Sequence, residues 1–114
     1  MITLYHNPRC SKSREALQLL REQGVEPEIN LYLETPLTAK DLGNLLKKLG
    51  MPARDLLRKS EDAYKTLNLA NPQLSEKELI DAMVKFPKLI ERPIGIKGDI
   101  ALIGRPPQNL LQLL

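Results

Sequence analysis

The residue best equipped for chemistry is Cys10, the only cysteine in the chain, in the run His6-Asn7-Pro8-Arg9-Cys10-Ser11-Lys12-Ser13-Arg14. A strand-like stretch ends at Asn7-Pro8 and a helical pattern begins at Ser11, so the thiol falls at a helix N-terminus. The unpaired N–H groups and the dipole there stabilise negative charge. With cationic neighbours, such a site lowers a thiol from its usual pKa of about 8.5 into a range of about 3.5 to 7.5. Arg9, Lys12 and Arg14 supply positive charge within a turn or two. The expected species is a nucleophilic thiolate, and the same N–H groups can hold an oxyanion.

A lone cysteine more often packs as a small hydrophobe, but polar and basic neighbours are the opposite of a core setting. One thiol cannot form an internal disulfide, so an oxidised or adducted Cys10 needs a resolving thiol from another molecule. Ser13 stands where a Cys-X-X-Cys motif would carry its second cysteine, which excludes a dithiol mechanism. His6, at the strand end, is a candidate to orient or polarise the thiolate, although strand alternation does not fix how near its ring comes. Three further cations stand out. Arg58 follows a short apolar turn, and Arg92 and Arg105 each precede a proline. Arginine offers a planar fork of donors matched to tetrahedral oxyanions, and a pre-proline residue is held extended. Spacing alone fits surface arginines in weak ion pairs better.

The elements that must position these residues follow from patterning. Residues 2–6 read as a strand, 11–23 as a helix stopped by Gly24, and 28–33 as a strand with Ile29, Leu31 and Leu33 on one face. This βαβ unit implies two parallel strands. Thr38 caps a helix to Leu49, where Leu42, Leu45, Leu46 and Leu49 form a stripe closed by Gly50. Pro52 opens one or two further turns through Leu57, and residues 60–69 suggest a short helix. Ser75 and Glu78 form a capping box for a helix ended by Pro87. Residues 94–96 and 100–103 flank Lys97-Gly98-Asp99 as an antiparallel hairpin. A short C-terminal helix over 109–114 would bury Leu110, Leu111 and Leu114. The sum is an α/β, thioredoxin-like topology: one domain over 1–114, a mixed four-stranded sheet, and a helical insertion at about 38–87.

Composition sets the limits. The 114 residues are 42% hydrophobic and 27% charged, with one Phe, three Tyr and no Trp, which describes one aliphatic-cored globular domain. No apolar run approaches the roughly 18 residues that span a bilayer, and no signal peptide opens the chain, so the expected setting is cytoplasmic. A net charge of +3, dispersed along the chain, argues against nucleic acid and suits a small anionic substrate. The expected molecule is a monomer without a bound metal.

Beyond these readings, the chain resembles the glutaredoxin-coupled arsenate reductase (ArsC) family over nearly its whole length, and most of all its short, YfgD-like members. The segments that carry the resemblance include residues 2–10, Ser13-Arg14, residues 32–36, Leu56-Leu57-Arg58-Lys59, Leu79-Ile80-Asp81, residues 89–94 and Gly104-Arg105-Pro106. It implies that Cys10 attacks arsenate, that Arg58, Arg92 and Arg105 hold the oxyanion and its thiol adducts, and that His6 lies near the cysteine. Pro93 takes the place of the cis-proline beside the thioredoxin-like active site. It further implies glutathione as co-substrate and glutaredoxin as partner, with no bound cofactor. Two other readings remain. One is a monothiol glutaredoxin-like oxidoreductase, for which the three arginines are unexplained. The other is an Spx-like RNA polymerase-binding regulator, whose usual Cys-X-X-Cys switch Ser13 removes.

Overall fold

The computed structural model describes residues 1–114, which divide into two units. The first, Met1–Thr35 with Arg92–Leu114, contains every strand. These are β1 (Thr3–Tyr5), β2 (Glu28–Asn30), β3 (Ile94–Lys97) and β4 (Ile100–Ile103), in the order β2-β1-β3-β4. β1 runs parallel to β2 and antiparallel to β3, and β3 is antiparallel to β4. The mixed four-stranded sheet is thioredoxin-like, as the βαβ and hairpin patterns predict. The β3–β4 turn is two residues, Gly98 and Asp99, with Gly98 at φ 60°.

Period-two alternation puts Ile2, Leu4 and His6 on the buried side of the β1 segment. Over it lies α1 (Ser11–Glu22), which buries Ser13, Ala16 and Leu20 at helical spacing. Ile2, Leu4, Ala16, Leu20, Leu110 and Leu113 make one apolar cluster. The matched rows therefore change character toward Cys10: apolar at Ile2, Leu4, Ala16 and Leu20, polar at His6 and Ser13.

Two expectations about facing are corrected. β2 covers only Glu28–Asn30 and is an edge strand, so Ile29 is 36% exposed while Tyr32, beyond the strand, is fully buried. The alternation of 28–33 therefore does not describe one strand face. The chain end also differs: residues Pro107–Leu113 form a 3-10 helix, not an α-helix. Its period of three buries Pro107, Leu110 and Leu113 and leaves Leu114 exposed, where a 3.6 period selected Leu111 and Leu114. Leu110 lies against two glycines. A Cβ on Gly95 would meet its Cδ2 at 2.8 Å, and one on Gly104 would meet its Cδ1 at 3.1 Å and Pro93 Cγ at 2.9 Å.

The second unit, Pro36–Glu91, is helical: α2 (Ala39–Leu49), α3 (Ala53–Leu56), α4 (Asp62–Thr66) and α5 (Glu76–Lys85), then a 3-10 turn at Pro87–Leu89. Thr38 and Asp41 complete a capping box for α2, and Ser75 and Glu78 one for α5. Gly50 ends α2 in the left-handed region at φ 69°. Pro52 stands at the N-cap of α3, and the expected helix over 60–69 contracts to α4. An isolated bridge joins Leu57 to Ile90. No helix is long and apolar enough to cross a membrane.

Because Leu110 is fully buried between glycine backbones that cannot move in to fill its space, Leu110→Ala is expected to cost about 2–5 kcal/mol of stability. Urea unfolding measures this, and a loss below about 1 kcal/mol would contradict the packing described.

Candidate active site

Strand register gathers the chemical residues. Tyr5 pairs with Ile94, and Ile94 with Ile103, so the end of β1, the start of β3 and the end of β4 lie at one end of the sheet. Cys10 follows β1, Arg92 precedes β3 and Arg105 follows β4. Residues far apart in sequence thus meet at a single thiol.

Cys10 is the N-cap of α1, with extended backbone at φ −95° and ψ 122°. Its N–H donates to Asn7 O at 3.0 Å, and its carbonyl accepts from Arg14 N–H at 3.0 Å. The loop before it is locked by Arg9 N–H donating to Asn7 Oδ1 at 3.1 Å and by Arg14 Nη1 donating to Pro8 O at 2.8 Å. The thiol is partly buried. Burial alone would push its pKa up. The Ser13 backbone N–H, the Arg92 side chain by hydrogen bond and by charge, and the Lys12 backbone N–H together outweigh that and hold it below the ordinary thiol value. Arg92 therefore brings its charge to the sulfur from a distant part of the sequence. Contrary to the local reading, Lys12 contributes its backbone while its ammonium pairs with Glu15 at 3.7 Å, and Arg14 ties down the loop.

Arg105 completes the group. Its Nη2 lies 3.9 Å from Cys10 Sγ, and its Nε donates to Arg92 O at 2.8 Å. The Arg92-Pro93 and Arg105-Pro106 bonds are both cis. Gly104 N–H donates to Pro93 O at 2.8 Å. Cys10, Arg92 and Arg105 are thus brought together.

Arg58 belongs to the helical unit. Its N–H donates to Leu89 O at 2.7 Å. Its guanidinium, in a side chain only 18% exposed, lies 3.7 Å from Glu61 and 3.8 Å from Glu91, beyond hydrogen-bond distance at Nε and Nη1. These are Coulombic pairs that leave donor capacity unused.

His6 is buried and its Nδ1 lies 2.6 Å from Ser13 Oγ, which also accepts from Asn7 N–H at 3.0 Å. Burial, then the charges of Arg21 and Arg14, lower the His6 pKa below 6.5. A neutral imidazole with its proton on Nε2 accepts the serine hydroxyl and satisfies the group. His6 therefore reaches the thiol through Ser13: the side chain of Ser13 bonds His6, while its N–H favours the Cys10 thiolate. Sequence reasoning missed Asn7, whose Asn-Pro turn was the available signal, and Asn109, which carried none. Asn109 Nδ2 donates to Ile103 O at 3.2 Å and to Arg105 O at 3.1 Å.

Comparison with known proteins places the chain among relatives of one family. The model of the ArsC family matches residues 5–113. The Escherichia coli K12 protein YfgD is 60% identical over 99% of this chain and 96% of its own. The arsenate reductase of Haemophilus influenzae is 47% identical over 99% and 98%. A solved structure of arsenate reductase from Vibrio cholerae is 46% identical, covers 99% of this chain and 97% of its own, and superposes with a TM-score of 0.96.

The buried neutral His6 sets a pH dependence of stability. Its folded-state pKa is depressed, so the unfolded chain takes up the proton first as pH falls. The contribution is full above 6.5 and is lost as pH falls through the folded-state value. Urea unfolding between about pH 8 and about pH 5 is expected to show this loss in the native protein and a shallower one in His6→Asn; equal slopes would contradict it.

Proposed function

The chain belongs to the ArsC family, and from that premise we propose that it reduces arsenate to arsenite through Cys10, with glutathione and glutaredoxin as external reductants. The observation that carries the reading is a single low-pKa thiol at a helix N-terminus with two guanidinium groups, Arg92 and Arg105, at its sulfur. A thiolate that merely exchanged disulfides would need no such pair. One that must approach an anion does, because two negative charges come within bonding distance.

In the proposed sequence, the Cys10 thiolate attacks arsenic(V), an arsenate oxygen leaves as water, and a sulfur–arsenic bond forms. The thiol of glutathione attacks that sulfur. The two sulfurs become a mixed disulfide, their two electrons pass to arsenic, and arsenite departs as arsenic(III). Glutaredoxin then takes the glutathionyl group and returns Cys10 to the thiol. The lack of a second cysteine supports an external reductant. Arg92 and Arg105 bind the oxyanion and the developing charge, and Arg58 is assigned to the same oxyanion by the family resemblance. His6 and Ser13 act as positioning residues, Arg14 braces the loop, and the family resemblance puts Pro93 beside the thiol.

Arsenate, glutathione, glutaredoxin and an NADPH-linked recycling system test this directly. The protein is expected to drive NADPH consumption, Cys10→Ser to abolish it, and Arg92→Ala or Arg105→Ala each to lower kcat/KM by roughly 10- to 100-fold, the scale of a charged hydrogen bond. A rate no higher than that of Cys10→Ser would overturn the assignment.

A further inference from the structure

Arg105 places its Nη2 3.9 Å from the Cys10 sulfur, yet it stands outside the sheet, two residues beyond β4. Something must fix the backbone that carries it. Nε of Arg105 is anchored on Arg92 O, which sets where the guanidinium ends. The other end of the side chain, its own main chain, is held by Asn109. Both contacts come from Asn109: Nδ2 donates to the carbonyls of Ile103 and Arg105, one on each side of Gly104. A glycine has the widest backbone freedom of any residue, so a clamp across it removes the motion that would most displace Arg105.

The support of Asn109 is itself rigid. It lies in the C-terminal 3-10 helix, between Pro107 and Leu110, both buried, and its N–H donates to Pro106 O at 3.0 Å. Leu110 closes on Gly95 and Gly104, and Gly104 N–H is spoken for by Pro93 O. The amide of Asn109 is thus a fixed reference on the sheet, tied to the strand end on one side and to the arginine on the other.

We propose that Asn109 is a positioning residue for catalysis, its side-chain amide bridging Ile103 O and Arg105 O to hold the Arg105 guanidinium preformed over the Cys10 sulfur. The inference rests on the proposed reaction only for its kinetic consequence. The geometric consequence, positive charge fixed at the thiol, is independent of substrate.

Two measurements on Asn109→Ala, Arg105→Ala and the double variant test it. The first is kcat/KM for arsenate. Asn109→Ala is expected to lose roughly tenfold, and the double variant to lose no more than Arg105→Ala alone, since the clamp acts only through the arginine. The second is the rate of Cys10 alkylation by anionic iodoacetate relative to neutral iodoacetamide, which reads the positive charge presented to the sulfur. That ratio is expected to fall by about threefold or more in Asn109→Ala, toward the Arg105→Ala value, with no further fall in the double variant. If Asn109→Ala folds poorly, Asn109→Leu, close in shape and without donors, is expected to give the same ratio. A native ratio in the Asn109 variants, or full additivity with Arg105→Ala, would overturn the proposal. Absence of arsenate turnover in the native protein removes the functional reading instead, and the alkylation ratios then decide the role of Asn109 alone.

Discussion

A partly buried thiol must either stay protonated or find partners for a negative charge, and Cys10 has found them in several places at once. Desolvation opposes ionisation, and the N–H groups of Ser13 and Lys12 with the guanidinium of Arg92 reverse the balance. The two sources come from different parts of the chain. Helix N–H groups are local to α1, while the guanidinium groups arrive from the start of β3 and the end of β4. The sheet register, Tyr5 to Ile94 to Ile103, makes these one place, so the antiparallel hairpin is as much a part of the thiolate's environment as the helix.

The polar end of the β1–α1 interface follows from the same need. Apolar rows from Ile2 and Leu4 against Ala16 and Leu20 could have continued to the end of the sheet, but His6 and Ser13 take the last positions. A buried hydroxyl that bonds both His6 and Asn7 N–H fixes the first turn of α1 relative to the loop that delivers Cys10. Keeping His6 neutral avoids placing a buried cation under that turn. At the other end, Leu110 and the cradle of Gly95 and Gly104 hold the 3-10 helix against the sheet.

The sequence disclosed what is local. Cys10 at a helix start, the cap at Thr38, the capping box at Ser75, the Gly98 turn and the parallel β1–β2 pair all follow from short-range rules, and the structure has each of them. What it hid is tertiary. Arg9, Lys12 and Arg14 looked like the cationic neighbours because they are near in sequence, whereas Arg92 is near in space. Alternation over 28–33 pointed inward at Ile29, but an edge strand three residues long leaves that side chain exposed and buries Tyr32 beyond it. The C-terminal leucines misled because a 3-10 helix counts in threes. The pre-proline positions of Arg92 and Arg105 were visible, and the resemblance to the ArsC family named them, but only the strand register explains why they converge.

The thiolate's dependence on Arg92 is the claim on which the rest stands. Ultraviolet titration of the thiolate absorbance, with Cys10→Ser subtracted to remove the tyrosines, reads it directly in a chain with one cysteine. The native protein is expected to titrate below the ordinary thiol value of about 8.5, and Arg92→Ala to titrate higher than the native protein. A native titration at the ordinary value, or one that Arg92→Ala leaves unmoved, would contradict the account.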